Sequence, residues 1–253
     1  MSLGGLSASP AQAQDQALHY LGTAYASDTG AMVYREEHWV YLERGAWRRL
    51  VLYRCPSGQP FARKRIDDAL SNDPDFDYLD GRDGYQEGVR QESGRRQVFV
   101  RKSGDDPQTL RPLTLPAAPA VIDAGFDSYV RQHWNSLNQG AGTSVAFLVP
   151  SRGRFMNLRI DHATPVQVDG APATRLRLSL DAWYGFAAPS ITLTYLDNGR
   201  RLRRFEGISN VHDAHGRTQT VRIEFPADDA LGPAGPGDIE AALRAPLASH
   251  CSP

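Results

Sequence analysis

The chain has 253 residues, 41% hydrophobic and 23% charged, enough apolar material for a real core in one large domain or two small ones. Its 28 basic and 29 acidic side chains leave a formal charge of -1, a balance that gives no reason to expect nucleic acid as a partner, and none is expected. No stretch approaches the roughly 18 consecutive apolar residues that a spanning helix needs, so no transmembrane segment is expected.

The first residues have neither the basic nor the apolar region of a signal peptide, yet Pro10-Ala11-Gln12-Ala13 reads like the small-residue stretch ahead of a cleavage site. Residues 1–15 are therefore expected to be disordered. They are either the remnant of an export signal with Met1-Ser2-Leu3 as an expression scar, or the ordinary N-terminus of a cytoplasmic protein. Residues 16–253 are expected to form a single domain. From Met32 to Tyr41 the chain is rich in aromatic, β-branched and charged residues, and Glu43-Arg44-Gly45 turns it into Trp47 to Arg54, a hairpin signature. Leu50-Val51-Leu52-Tyr53 is apolar on both faces, as in a strand covered on both sides or central to a sheet. Residues 55–95 read as weaker structure, with turns at Cys55-Pro56-Ser57-Gly58 and an acidic loop region punctuated by Asp73-Pro74-Asp75 and Gly81-Arg82-Asp83-Gly84. A short strand is expected from Gln97 to Arg101.

Prolines 107, 112, 116 and 119 exclude the 107–120 segment from the middle of a sheet, because each lacks the N–H that a ladder uses. An extended strap across one face is the preferred reading, with a domain boundary as the alternative. Phe126, Val130, Trp134 and Leu137 then make one apolar stripe at the helical period, so a helix of about three turns is expected, packed on the sheet. Period-two alternation follows in Met156–Ile160, Val166–Val168, Leu176–Leu180, Ile191–Leu196 and Val221–Phe225, with Asp197-Asn198-Gly199 turning one strand into Arg200–Asn210. Gly237-Asp238 can start a last short helix. The expected fold is mainly β: a single strongly curved antiparallel sheet, an open clam or half-barrel, with that one helix packed on it.

The run Tyr195-Leu196-Asp197-Asn198-Gly199-Arg200, continuing into Arg204-Phe205-Glu206-Gly207-Ile208-Ser209-Asn210 and Val221-Arg222-Ile223-Glu224-Phe225-Pro226, resembles the DUF3108-like proteins of bacterial cell envelopes. More distantly it resembles the lipoprotein-carrier fold of LolA and LolB. The 30–41 hairpin looks like the opening of such a sheet, and the likeness covers about the last hundred residues. It implies a sheet curled around a hydrophobic cavity that, in the carriers, takes a lipid-modified polypeptide. No residue carries over singly, because carrier contacts are dispersed apolar positions. The same curled sheet also occurs in a cofactor-free enzyme of pigment biosynthesis, so fold alone does not select a function.

Cys55 and Cys251 are the only two cysteines. They are either a disulfide that ties down the tail and implies a periplasmic or secreted setting, or two unrelated thiols. Glu36 and His38 share one strand face and are weak candidates for an acid–base pair; a solvated hairpin face is the alternative. His212, Asp213 and His215 at a turn are a weak candidate for a divalent ion. Arg203, with Arg175 and Arg177 of a neighbouring strand, is a candidate for holding a carboxylate or phosphate headgroup. Trp183, Tyr184 and Phe186 in a loop are candidate ligand contacts at a cavity mouth, or packing for the first hairpin. No metal site or cofactor motif is expected. Three functions are consistent with these features. The leading one is a non-enzymatic envelope protein binding a lipid or lipidated peptide in the curve of the sheet. The others are an assembly protein acting by contact with another envelope protein, and a cofactor-free enzyme using Glu36, His38 and nearby arginines.

Overall fold

A computed structural model describes residues 17–140, 142–181, 190–213, 215–226 and 234–252. The first half of the chain is an antiparallel meander of β1 (Leu18–Ala26), β2 (Met32–Glu43), β3 (Ala46–Arg54), β4 (Pro60–Asp67), β5 (Asp75–Asp80), β6 (Gln86–Glu92), β7 (Arg95–Arg101) and β8 (Thr109–Pro112). The second half contains β9 (Ala120–Val121), helices α1 (Gly125–Gln132) and α2 (Trp134–Gln139), then β10 (Thr143–Val149) and β11 (Arg154–Ile160). It continues through β12 (Thr164–Val168), β13 (Ala171–Leu180), β14 (Ile191–Leu196), β15 (Arg201–His212), β16 (Thr218–Glu224) and α3 (Pro236–Arg244).

All these strands form one sheet in the order β8-β7-β6-β5-β4-β3-β2-β1-β16-β15-β14-β13-β11-β10-β9, with β12 added beside β13. Every pairing is antiparallel except β9 with β10. The first and last strands thus meet inside the sheet, while its two edges, β8 and β9, are neighbours in sequence. The proline-rich 107–120 segment contains β8, the link and the first residue of β9. Pro112 ends β8, and Pro116 and Pro119 lie in the link, where no ladder N–H is needed.

The sheet is curled but not closed into a barrel. Its far edge folds back over the first half: Leu148 of β10 and Phe155 of β11 pack with Tyr53, Phe76 and Val98 in one apolar cluster. Arg111 Nη1 donates to the Arg152 carbonyl at 3.2 Å, and the Ile122 N–H to the Asn72 carbonyl at 3.0 Å, so the strap is fastened at both ends. A second core lies between α1–α2 and β10–β14, and a third beneath α3 on the outer face of β2 and β3.

Some expectations are corrected. The 55–95 region, expected to be weaker structure, holds β4, β5 and β6, with the chain turning at 68–74 and 81–84 as its punctuation indicated; several inward residues there are polar, which hides the alternation that marks a strand. The 126–137 helix is broken at His133 (φ -102°, ψ 16°), whose backbone N–H and ring both go to the Tyr129 carbonyl. Phe126, Val130 and Leu137 keep the expected buried stripe, and Trp134 packs edge-on to Tyr195 at 6.0 Å. The start of α3 also differs slightly, since Asp238 Oδ2 accepts from the Gly235 N–H at 2.9 Å and the cap is Gly235.

Cys55, fully buried after β3, is disulfide-bonded to Cys251, with Cα atoms 5.4 Å apart across a sequence separation of 196. The tail is fixed further by the Ala248 N–H to the Pro60 carbonyl at 2.8 Å and by Arg63 to the Ala245 carbonyl. No described helix is long and apolar enough to cross a membrane. Residues 1–16, on which the export-remnant expectation rests, lie outside the described residues.

Candidate functional site

Strand registers decide what the concave face carries. Tyr20 of β1 stands opposite His38 of β2, His38 opposite Val51, Val51 opposite Lys64, Lys64 opposite Tyr78, and Tyr78 opposite Glu87. The adjoining row runs from Gly22 through Glu36, Tyr53 and Ala62 to Asp80. Both rows point inward, so the curl gathers a chain of polar side chains in its centre.

Glu36 and His38 do share a face: His38 Nε2 and Glu36 Oε2 are 3.0 Å apart, and both residues are 7% exposed. Tyr20 stacks on the imidazole at 4.5 Å. Burial holds the His38 pKa below its ordinary value, against the opposing pull of the Glu36 hydrogen bond. Lys64 Nζ lies 2.6 Å from Asp123 Oδ1 and just under 6 Å from the rings of Tyr53, Phe76 and Tyr78, a desolvated ion pair inside an aromatic surround. Tyr85 donates to Glu87 at 2.7 Å, and burial raises the Glu87 carboxyl above the usual range. Burial likewise pushes the Tyr34, Tyr53 and Tyr78 phenols well up. His38 Nδ1 and Asp123 Oδ2 have no hydrogen-bond partner. Chemically this is an acid–base pair with a lysine and two further carboxylates nearby, enclosed by side chains that the two halves of the curl press together.

The concave face is not sealed at every point. Going from the polar rows toward the β2–β3 turn, the same inward alternation reaches Val40 and Leu42 on β2, Leu18 opposite Val40, and Trp47 opposite Leu42. Leu18, Leu42 and Trp47 are 46%, 38% and 38% exposed. Arg49, next inward of Trp47 on β3, lies 3.6 Å from Asp127 of α1. This end of the curl is an apolar rim over a polar floor. The inward apolar positions nearer the centre are covered by one another, so among the described residues the uncovered part of the cavity that the resemblance implies is this rim.

The remaining candidates are dispersed. Arg175 and Arg177 are exposed and alternate with inward Leu176 and Leu178; their row neighbours across β14 are Arg204 and Glu206. Arg203, at a register shift, pairs with Asp169 at 2.8 Å and donates to the Phe225 carbonyl. The three arginines therefore do not sit in one row. Trp183, Tyr184 and Phe186 lie outside the described residues. At the β15–β16 turn, the slight burial of Asp213 works upward on its pKa. The N–H groups of Arg217 and His215 and the Arg217 guanidinium outweigh it and bring the carboxyl to about 2, so this side chain is a turn staple. No set of three metal-ligating side chains converges among the described residues.

Lys64, Glu87, Asp123 and the Leu18–Trp47 rim escaped the sequence reading. Their only linear signal is the same-side spacing of Ala62, Lys64 and Ile66 and of Phe76, Tyr78 and Asp80, visible once these are accepted as strands.

No family model matches the chain, and no curated protein matches it. Among solved structures, a β-barrel-like protein of the domain of unknown function DUF1849 from Brucella abortus is similar over 85% of this chain and 100% of that chain, with 9% identity and a TM-score of 0.47. Likeness at that level assigns neither family nor function. By its own structure the chain is a disulfide-linked, curled, mostly antiparallel sheet with buried polar side chains set among apolar ones and an apolar rim at one end.

Proposed function

We propose that this is an exported, non-enzymatic protein of the bacterial envelope, periplasmic or secreted, that binds a lipid or lipidated peptide at the uncovered end of its curled sheet. The observation that carries this reading is the exposure of Leu18, Leu42 and Trp47 on the concave side, whose central positions are buried. Large apolar side chains on an inward face gain about 25 cal/mol for each Å² removed from water, so an acyl chain is a fitting cover for them. The buried disulfide supports an oxidising compartment. Native mass spectrometry of protein from a periplasmic preparation, followed by denaturing extraction, tests it. A stoichiometric amphiphile is the expected result; a clean apo mass that stays unchanged on incubation with fatty acid or lysophospholipid overturns it.

An assembly role is the second reading, favoured by Leu110 and Leu115, 47% and 49% exposed on the β8 edge and the strap. A stable dimer or a captured envelope protein in the same spectrum, lost on Leu110→Ser, selects that reading. The enzymatic use of Glu36 and His38 requires a substrate to displace the Tyr20 ring that covers the imidazole.

A further inference from the structure

The apolar rim has a further member and a charged border. The Ala69 N–H donates to the Trp47 carbonyl at 2.8 Å. From α1, Ser128 Oγ donates to the Ala69 carbonyl at 3.2 Å and Gln132 Nε2 to the Leu70 carbonyl at 3.1 Å. Leu70, 53% exposed, therefore lies beside Trp47 where the rim meets the helix. Arg49 shares its row with Val40 and Leu18 and stands 3.6 Å from Asp127 of α1, beyond hydrogen-bond distance. Arg131, one helical turn after Asp127 and on the same face, donates from Nε to that carboxylate at 3.1 Å. Its side chain is 44% exposed, and its two Nη groups have no partner among the described residues. Arg200 brings a third guanidinium to this turn, with Nη1 3.3 Å from the Arg131 carbonyl.

Charge on this border is unbalanced. Among the described residues, Asp127 is the one carboxylate that contacts any of the three arginines. Glu43 and Asp67, at the same end of β2 and β4, are taken up by Arg48 on the outer face. One carboxylate against three guanidiniums leaves positive charge and free N–H donors beside an apolar strip. The oxygen pair of a carboxylate or phosphate fits the fork of a guanidinium, whereas a cationic head is repelled there and a neutral one gains hydrogen bonds without charge assistance. We infer, on the amphiphile reading above, that the ligand of the rim is an anionic amphiphile. Its carboxylate or phosphate head is held by the exposed end of Arg131 next to Arg49, and its chain lies along Leu70, Trp47, Leu42 and Leu18.

The test is calorimetric titration of the disulfide-intact full chain with four probes of one chain length: laurate, dodecyl phosphate, monolaurin and dodecylamine. At least one of the two anions should bind about tenfold or more tightly than monolaurin, as a charge-assisted bond implies, with dodecylamine the weakest. The tighter of the two anions tells a fatty-acid carboxylate from a phosphate head. Arg131→Gln should remove most of this preference and leave monolaurin binding unchanged. Asp127→Asn, which frees both guanidiniums from their shared carboxylate, should move the anions the other way and tighten them severalfold. Monolaurin affinity shows in each variant that the rim is intact. Equal affinity for the anions and monolaurin, a preference for dodecylamine, or an anion preference that Arg131→Gln leaves in place overturns the inference while the amphiphile reading stands. Binding of none of the four removes both.

Discussion

Lys64 shows what single residues contribute to this fold. Its ammonium, 6% exposed, is tied to Asp123 at 2.6 Å and joins the sheet to the entry of α1. Removing one partner strands a buried charge. Asp123→Asn is therefore expected to lose about 3 kcal/mol of unfolding free energy in urea, and Lys64→Met combined with Asp123→Leu to recover most of it. His38 and Glu87 make opposite contributions to pH dependence. The folded pKa of His38 is depressed, so the unfolded chain takes up the proton first: stability is intact above the unfolded value near 6.5 and falls as pH drops below it. Glu87 has a raised folded pKa, so its contribution is present below its unfolded value of 4.5 and is lost as pH rises through the folded value. His38→Gln, which can keep the bond to Glu36, should flatten the loss of urea midpoint between neutrality and about pH 5. An unchanged slope in that variant would assign the acid sensitivity elsewhere. Glu36 and His38 were legible as a pair because two-residue spacing alone puts them on one face. Lys64, Glu87 and Asp123 were not, because the β4–β5–β6 ladder and the entry of α1 bring them together only in the folded chain.

At the level of elements, a clear polar–apolar alternation marked β11, β13, β14 and β16 in the sequence. Elements with neither that alternation nor a hairpin signature, β4 to β6 and β10 among them, went unread. In β10 Val145, Ala146 and Leu148 are buried across both faces, so period two is lost. In β4 to β6 the interior itself is polar. Gly88 in β6 marks a close approach: an added Cβ would stand 2.0 Å from the Phe76 carbonyl and 2.6 Å from the Phe99 ring. Gly88→Ala should therefore push β5 and β6 apart at a cost of about 3 kcal/mol, read from chemical denaturation. The Cys55–Cys251 bridge acts on the third core as well, because it holds the tail that follows α3. Replacing both cysteines with alanine is expected to cost about 2–5 kcal/mol and to make the melting temperature insensitive to reductant. Retained reductant sensitivity would show that the effect does not come from this bond.

For the whole molecule, the curved antiparallel class was readable and the strand order was not. Local patterning says which residues form strands, whereas the order depends on partners far apart in the chain. The concave surface follows the same division. The sequence pointed to inward apolar positions, but only the curl determines that the central ones cover each other while Leu18, Leu42 and Trp47 stay open. Leu42→Ser with Trp47→Ser changes two side chains more than a third exposed, so folding should be retained. Retention of a co-purified or added amphiphile should fall at least about tenfold in native mass spectra.

The meeting of β1 with β16 in the middle of the sheet sets an order of events for a chain made from one end. Ala24 pairs with Ile223, so the first strand waits for the last with nearly the whole polypeptide between them. Until then β1 is a bare edge at what will become the centre, and neither half of the curl has the other to cover its inward face. Contacts this remote in sequence close slowly, and a half-made sheet with an open edge invites foreign pairing. A chain with this connectivity gains by being kept extended until its full length has been delivered, and only then allowed to fold.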